Sequence, residues 1–194
     1  MSGRTPAVRG DPRVVFDASL WDLAYRCVDG CPRGRTCCTS LAVEVSRREV
    51  RAIDAVMDQA AGLVPALGGD GEYESVFVDD PPHLLIEPRD DGSCPFLYRT
   101  RSRSLCAIHS VALATGRRVA DVKPAACRHW PIAVDDEGGR VRVSVQPAAR
   151  RIGCVAPARE LPRHPLVVDA FADEIREICH GAAPRRSSRT SPRR

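Results

Sequence analysis

Aromatic residues are scarce in this chain of 194 residues, where Phe, Trp and Tyr together make up 5%. No apolar run approaches the roughly 20 residues that a membrane-spanning helix needs. The first residues lack the apolar segment of a secretory signal. We therefore expect a cytoplasmic protein without a membrane partner, whose single domain holds a modest aliphatic core.

Lysine is almost absent, since Lys123 is the only one and arginine supplies the other basic residues. The formal net charge is +4, but residues 185–194 carry five arginines and no acid. The body between the two ends is therefore acidic, which argues against specific nucleic-acid recognition. We expect a flexible arm over residues 1–13, a domain over 14–181 and a disordered tail over 182–194. The basic tail offers a contact for an acidic protein partner.

Cysteine, in contrast, is abundant, with nine residues. In a reducing compartment, bunched thiols indicate metal binding or catalysis more than disulfides. The first four fall within twelve positions, and Pro32 and Gly34 place them on a short loop that suits metal coordination. They are Cys27, Cys31, Cys37 and Cys38.

The adjacent pair Cys37 and Cys38 permits two arrangements. In an extended chain neighbouring side chains point to opposite sides, so each sulfur would serve a different metal or a different edge of a cluster. In a turn the two sulfurs would converge. The first arrangement favours two metal sites or one multinuclear cluster.

The remaining patterns predict a small α+β fold, with short antiparallel strands and a few helices organised around a cysteine-rich metal site. Ser46 and Glu49 form a capping-box pattern that opens a helix, and Gly116 ends another. The predicted elements are a strand over 41–45, a helix from Ser46 to about Gly62, strands over 73–78, 83–87 and 94–98, a helix over 107–115, a hairpin over 131–145 and a last helix over 165–180.

Several short motifs, in order along the chain, resemble one known family. After the opening cysteines come Cys94-Pro-Phe-Leu, then Cys106-Ala-Ile-His109, then Lys123-Pro-Ala-Ala-Cys127-Arg128 with Pro131, and finally Cys154. Together these resemble the YkgJ-like proteins, described as CxxCxxCC zinc- or iron-chelating domains. The resemblance covers Cys27 to Cys154, although the opening spacing here is CxxxC and five residues separate Cys31 from the pair.

The resemblance implies a metal-binding protein that coordinates zinc or iron, with an iron–sulfur cluster as one form of the iron. It implies eight thiolate ligands: Cys27, Cys31, Cys37, Cys38, Cys94, Cys106, Cys127 and Cys154. Cys179 is expected to pack in the hydrophobic core as part of the last helix. Some YkgJ-like proteins are described as lysine methylases of flagellin, yet this chain has no glycine-rich loop of the kind that usually follows a strand and binds a methyl donor.

The sequence alone does not decide whether the protein is an enzyme. Closed four-thiolate zinc sites, an iron–sulfur cluster and a metal-dependent or redox enzyme of protein-modifying type all fit the thiols. A further alternative is a nucleophilic enzyme with Cys106 or Cys127 as nucleophile and His109 or His129 as base. Arg128 is either a hydrogen-bond donor to metal-bound thiolates or an ordinary surface residue.

Overall fold

The structure of the protein, a computed structural model, describes residues 14–26, 31–32, 36–39, 41–69, 72–73, 75–81, 83–137 and 139–179. The predicted arm, the predicted tail and Cys27 lie outside these residues. The strands are Val14–Phe16 (β1), Leu23–Tyr25 (β2), Cys31–Pro32 (β3), Val43–Val45 (β4), Gly68–Gly69 (β5), Glu72–Tyr73 (β6), Phe77–Asp80 (β7), His83–Ile86 (β8), Leu97–Arg99 (β9), Arg103–Cys106 (β10), Ile132–Glu137 (β11), Arg140–Val145 (β12) and Val155–Pro157 (β13).

The α-helices are short as well, and 3₁₀ turns supplement them at Cys37–Thr39, Pro65–Leu67 and Ala158–Glu160. None of the described helices is long and apolar enough to cross a bilayer. The α-helices are Ser19–Asp22 (α1), Arg47–Asp54 (α2), Met57–Leu63 (α3), Ala107–Ala114 (α4), Val119–Val122 (α5), Ala125–His129 (α6), Pro147–Ile152 (α7), Val167–Ala170 (α8) and Ala172–Cys179 (α9).

The predicted α+β class is confirmed, with several small sheets in place of one large sheet. Three sheets have three strands, in the orders β1-β12-β11, β3-β10-β9 and β4-β8-β7. All strand pairs are antiparallel except β1 with β12, which is parallel. The hairpin predicted over 131–145 is confirmed as β11 and β12, where Gly139 adopts a φ of 87° near the turn.

The capping box at the start of α2 is confirmed. The Ser46 side chain accepts from the Glu49 amide, and the Glu49 carboxylate accepts from the Ser46 amide at 2.8 Å. The helix predicted to run to about Gly62 is interrupted after Asp54 and continues as α3. Ile53, Val56 and Met57 are nonetheless buried on one face across this break, as the helical period of the apolar residues predicts.

Two hydrophobic cores form, the first from residues 45–122 and the second from residues 20–23 together with residues 130–179. The first packs α2, α3 and α4 against β8 and around Phe96, which is 1% exposed. The second packs α7, α8 and α9 against β11 and β12, with Trp130 at its edge. Cys94 and Cys106 pack against the first core, whereas Cys37 packs against the second. Cysteines thus pack against both cores, and Cys154 and Cys179 belong to the second one.

Candidate functional site

The first described thiols come from a strand and a turn. Cys31 lies in β3, which pairs with β10 so that Cys31 is opposite Ser104. Cys37 and Cys38 begin the 3₁₀ turn, which is closed by the hydrogen bond from the Thr39 amide to the Thr36 carbonyl at 3.0 Å. Because this segment is a turn and not an extended strand, the two adjacent cysteine side chains converge.

The distance between the Cys37 and Cys38 sulfurs is 4.0 Å. Four thiolates at about 2.3 Å from a tetrahedral zinc are separated by roughly 3.8 Å. The separation of the pair is close to that value, and it is also the separation of a thiol–thiol hydrogen bond. The expectation that the two sulfurs would face different sites rested on an extended backbone, and this turn does not have one.

Three more thiols, from distant parts of the chain, lie near enough to Cys37 or Cys38 to interact with them electrostatically. The Cys94 amide donates to the Cys38 carbonyl at 2.6 Å, which joins the second cysteine segment to the first. Cys106 ends β10 and is the residue just before α4. Cys127 lies in the middle of α6. With Cys31, Cys37 and Cys38, these three make up what we call the thiol cluster.

The thiols alter one another's pKa values. Hydrogen bonds from Cys31 and then from Cys38 lower the pKa of Cys37 to about 3. The hydrogen bond to Cys37, followed by burial, raises the pKa of Cys38. Burial and then the charge of Cys106 raise the pKa of Cys94 to about 12. The pKa shifts of Cys37 and Cys38 therefore have opposite signs, because the two thiols share one hydrogen bond.

Burial raises the pKa of Cys127 well above its usual value, and the charges of Cys106, Cys94 and Cys37 add to this effect. Lys123 acts in the opposite direction and favours the thiolates of both Cys127 and Cys37. Arg89 has the same effect on Cys94, so Lys123 is not the sole cation that acts on the cluster. The sequence did not predict this electrostatic role for Lys123, although Lys123 is the only lysine of the chain.

The histidines do not contact a cysteine in any described hydrogen bond. His109 Nδ1 lies 3.5 Å from the Lys123 ammonium, and burial, then Lys123, lowers the pKa of His109. His129 is buried, with Nε2 at 4.0 Å from a Glu177 carboxylate oxygen. These contacts do not supply the thiol–imidazole pair that the nucleophilic-enzyme alternative needs.

Arg128 is neither an isolated surface residue nor, in its described contacts, a donor to sulfur. Its guanidinium pairs with both carboxylate oxygens of Glu177 in α9, at 3.1 and 3.4 Å. This ion pair ties the helix that carries Cys127 to the second core. Arg128 therefore holds Cys127 in place by way of the last helix.

Glu49 secures the other end of the same helix. One carboxylate oxygen completes the capping box of α2, and the other accepts from the Ala125 amide at 2.8 Å. Burial alone would raise the pKa of Glu49, but the hydrogen bonds from Ala125 and Ser46 outweigh it and lower the pKa. One carboxylate thus fixes α6 relative to α2.

Replacing Glu49 with Gln is expected to lower the free energy of unfolding at pH 7 by about 1.5 kcal/mol, since three hydrogen bonds to a charged group are weakened. The folded-state pKa is lowered, so this stabilisation is present above about pH 4.3 and is lost as pH falls through the folded pKa. Urea unfolding at pH 7 and below pH 4 measures both effects, with Glu87→Gln at an exposed position as the control. An equal deficit at both pH values would contradict the assignment.

Cys154 and Cys179 lie in the second core. Cys154 is 2% exposed, and its sulfur accepts a hydrogen bond from the Trp130 indole at 3.4 Å. Its carbonyl accepts from the amide of Arg26, the residue that precedes Cys27 in the sequence. Cys179 is buried against the same core. The packing role expected of Cys179 agrees with this position, and the ligand role of Cys154 stays a prediction.

The thiol cluster contains six sulfur atoms, which is more than the four ligands of a tetrahedral zinc site. Among the described residues, no three Cys, His, Asp or Glu side chains are already arranged to hold a metal ion. Two buried hydroxyls beside the thiols, Thr36 Oγ1 and Ser104 Oγ, also lack a hydrogen-bond partner within that part of the chain. Sulfur donors with unused hydroxyls next to them fit a thiophilic cation, because a bound thiolate is a hydrogen-bond acceptor.

Comparison with family models, with curated proteins and with solved structures finds no match for this chain.

Proposed function

We propose that this protein binds zinc or iron through the thiolates of the thiol cluster. The ligands are Cys31, Cys37, Cys38, Cys94, Cys106 and Cys127, with Cys27 and Cys154 as the further ligands that the YkgJ-like resemblance implies. A cytoplasmic location and a protein contact through the basic tail belong to the same proposal. The single observation that carries it is the 4.0 Å separation of the Cys37 and Cys38 sulfurs, within a group of thiols that shift one another's pKa values.

The chemistry of the donors restricts the metal. Thiolates are soft ligands that prefer zinc and iron–sulfur clusters to magnesium or calcium. Bound zinc would hold the cysteine segments together, and an iron–sulfur cluster would in addition carry electrons. Both metals take four thiolates, so the six described thiols are enough for either.

The residues around the thiols contribute to metal binding in defined ways. Lys123 offsets the negative charge that accumulates when thiols lose protons. Glu49 and Arg128 keep α6, and with it Cys127, against the rest of the cluster. Loss of several protons on binding makes the affinity for the cation increase with pH.

The experiment is a zinc titration of the reduced full chain without oxygen, with thiol reactivity measured before and after. We expect saturating zinc to protect at least four of the nine cysteines from a thiol-specific reagent. Equal reactivity of all cysteines with and without zinc would overturn the proposal. An identical titration with magnesium is the control, because thiolates bind that cation weakly.

A further inference from the structure

Ser104 occupies the centre of the strand surface that carries two of the thiols. It lies in β10, two residues before Cys106 and directly opposite Cys31 of β3. Side chains two apart along a strand share a face, and so do residues paired across two strands. The Ser104 hydroxyl therefore projects from the same face of the sheet as the sulfurs of Cys31 and Cys106.

This hydroxyl is buried without a hydrogen bond. Ser104 is 4% exposed, and within the described residues its Oγ has no partner. Most buried side-chain hydroxyls in folded proteins do have a partner, since leaving one unpaired is unfavourable. An unpaired hydroxyl on the same strand face as two thiols can donate a hydrogen bond to one of their sulfurs.

We propose that Ser104 is a positioning residue of the metal site, whose hydroxyl donates a hydrogen bond to the thiolate of Cys31 or Cys106 when metal is bound. This inference rests on the proposed function. A protonated thiol is a weak acceptor, whereas a metal-bound thiolate carries charge and accepts more strongly. The hydrogen bond disperses part of the negative charge of the site and orients the sulfur. Such partners of metal ligands typically change metal affinity by tenfold or more.

The proposal predicts effects of opposite sign on two quantities. In Ser104→Ala the unpaired hydroxyl is gone, so the melting temperature of the metal-free protein should stay the same or rise. The affinity for zinc, measured by competition with a chelator, should fall by about tenfold. A residue with a merely structural role would lower both quantities together.

A spectroscopic measurement adds a second test. Cobalt bound in place of zinc gives a thiolate-to-metal charge-transfer band, which moves to lower energy when a hydrogen bond to the sulfur is removed. We expect that shift in Ser104→Ala and its reversal in Ser104→Thr, which keeps a hydroxyl. Ser110→Ala is the matched control, because the Ser110 hydroxyl lies 2.9 Å from the Tyr98 hydroxyl and is already paired. It should leave zinc affinity and the cobalt band unchanged.

The outcomes separate the two proposals. If the wild-type chain binds neither zinc nor ferrous iron, the proposed function fails, and the role of Ser104 fails with it. If the wild-type binds zinc, and Ser104→Ala binds it equally tightly with an unshifted cobalt band, only the role of Ser104 is overturned. A loss of affinity accompanied by an equivalent fall in the metal-free melting temperature would overturn it as well.

Discussion

Replacing Cys37 with Ser is expected to weaken zinc binding by at least about 100-fold. Such a loss is larger than the loss of metal affinity that typically follows removal of a residue that only hydrogen bonds to a metal ligand. Hydrogen bonds from Cys31 and then Cys38 lower the pKa of Cys37, which favours its thiolate, the form that binds metal. A serine hydroxyl does not ionise near neutral pH and is a poor ligand for a soft cation. Competition with a chelator of known affinity measures the change.

The matched control is Cys179→Ala, which removes a thiol from the second core away from the proposed ligands. It should cost some stability through lost packing and leave zinc affinity unchanged. Equal zinc affinity in Cys37→Ser and the wild-type would remove Cys37 from the ligands. Equal losses in Cys37→Ser and Cys179→Ala would show a general effect of unfolding and not of coordination.

The second large effect is on stability. Within the thiol cluster, Cys94 and Cys106 pack against the first hydrophobic core and Cys37 packs against the second. A cation bound by all three would link the cores and stabilise the folded chain. At 100 times its dissociation constant, zinc should add up to about 2.7 kcal/mol to the free energy of unfolding, reduced by whatever zinc binds to the thiols of the unfolded chain.

For a chain of this length, that free energy corresponds to a rise of roughly 5–10 °C in melting temperature. Thermal unfolding with a chelator, with zinc and with magnesium tests this prediction. Zinc should raise the melting temperature above that in chelator, and magnesium should not. A melting temperature that is the same in all three conditions would contradict a metal that joins the two cores.

Local features of the fold were predictable from the sequence because they depend on a few neighbouring residues. The Ser46–Glu49 capping box, the α4 helix and the hairpin of β11 and β12 are confirmed at nearly their predicted positions. The helices α5, α6 and α7 were not predicted, since four to six residues are too few for a periodic signal. The strand predicted over 94–98 begins only at Leu97, because Cys94 and Phe96 lie in a turn.

The contacts that build the site lie far apart in sequence and left no local pattern. Glu49 was recognisable as a capping residue, but its bond to the Ala125 amide spans 76 positions. The pairing of Arg128 with Glu177 spans 49 positions. The position of Ser104 opposite Cys31 depends on the pairing of β3 with β10, which neither strand encodes alone. The sequence therefore predicted the candidate sulfur ligands but not the residues that position them.

The central claim is that the thiols of this chain bind zinc or iron. The most direct measurement is the metal and acid-labile sulfide content of the full chain purified without oxygen, together with a count of its reactive thiols. We expect at least one zinc or iron per chain and protection of the cluster cysteines. Neither metal, together with free reaction of all nine thiols in the native protein, would contradict it.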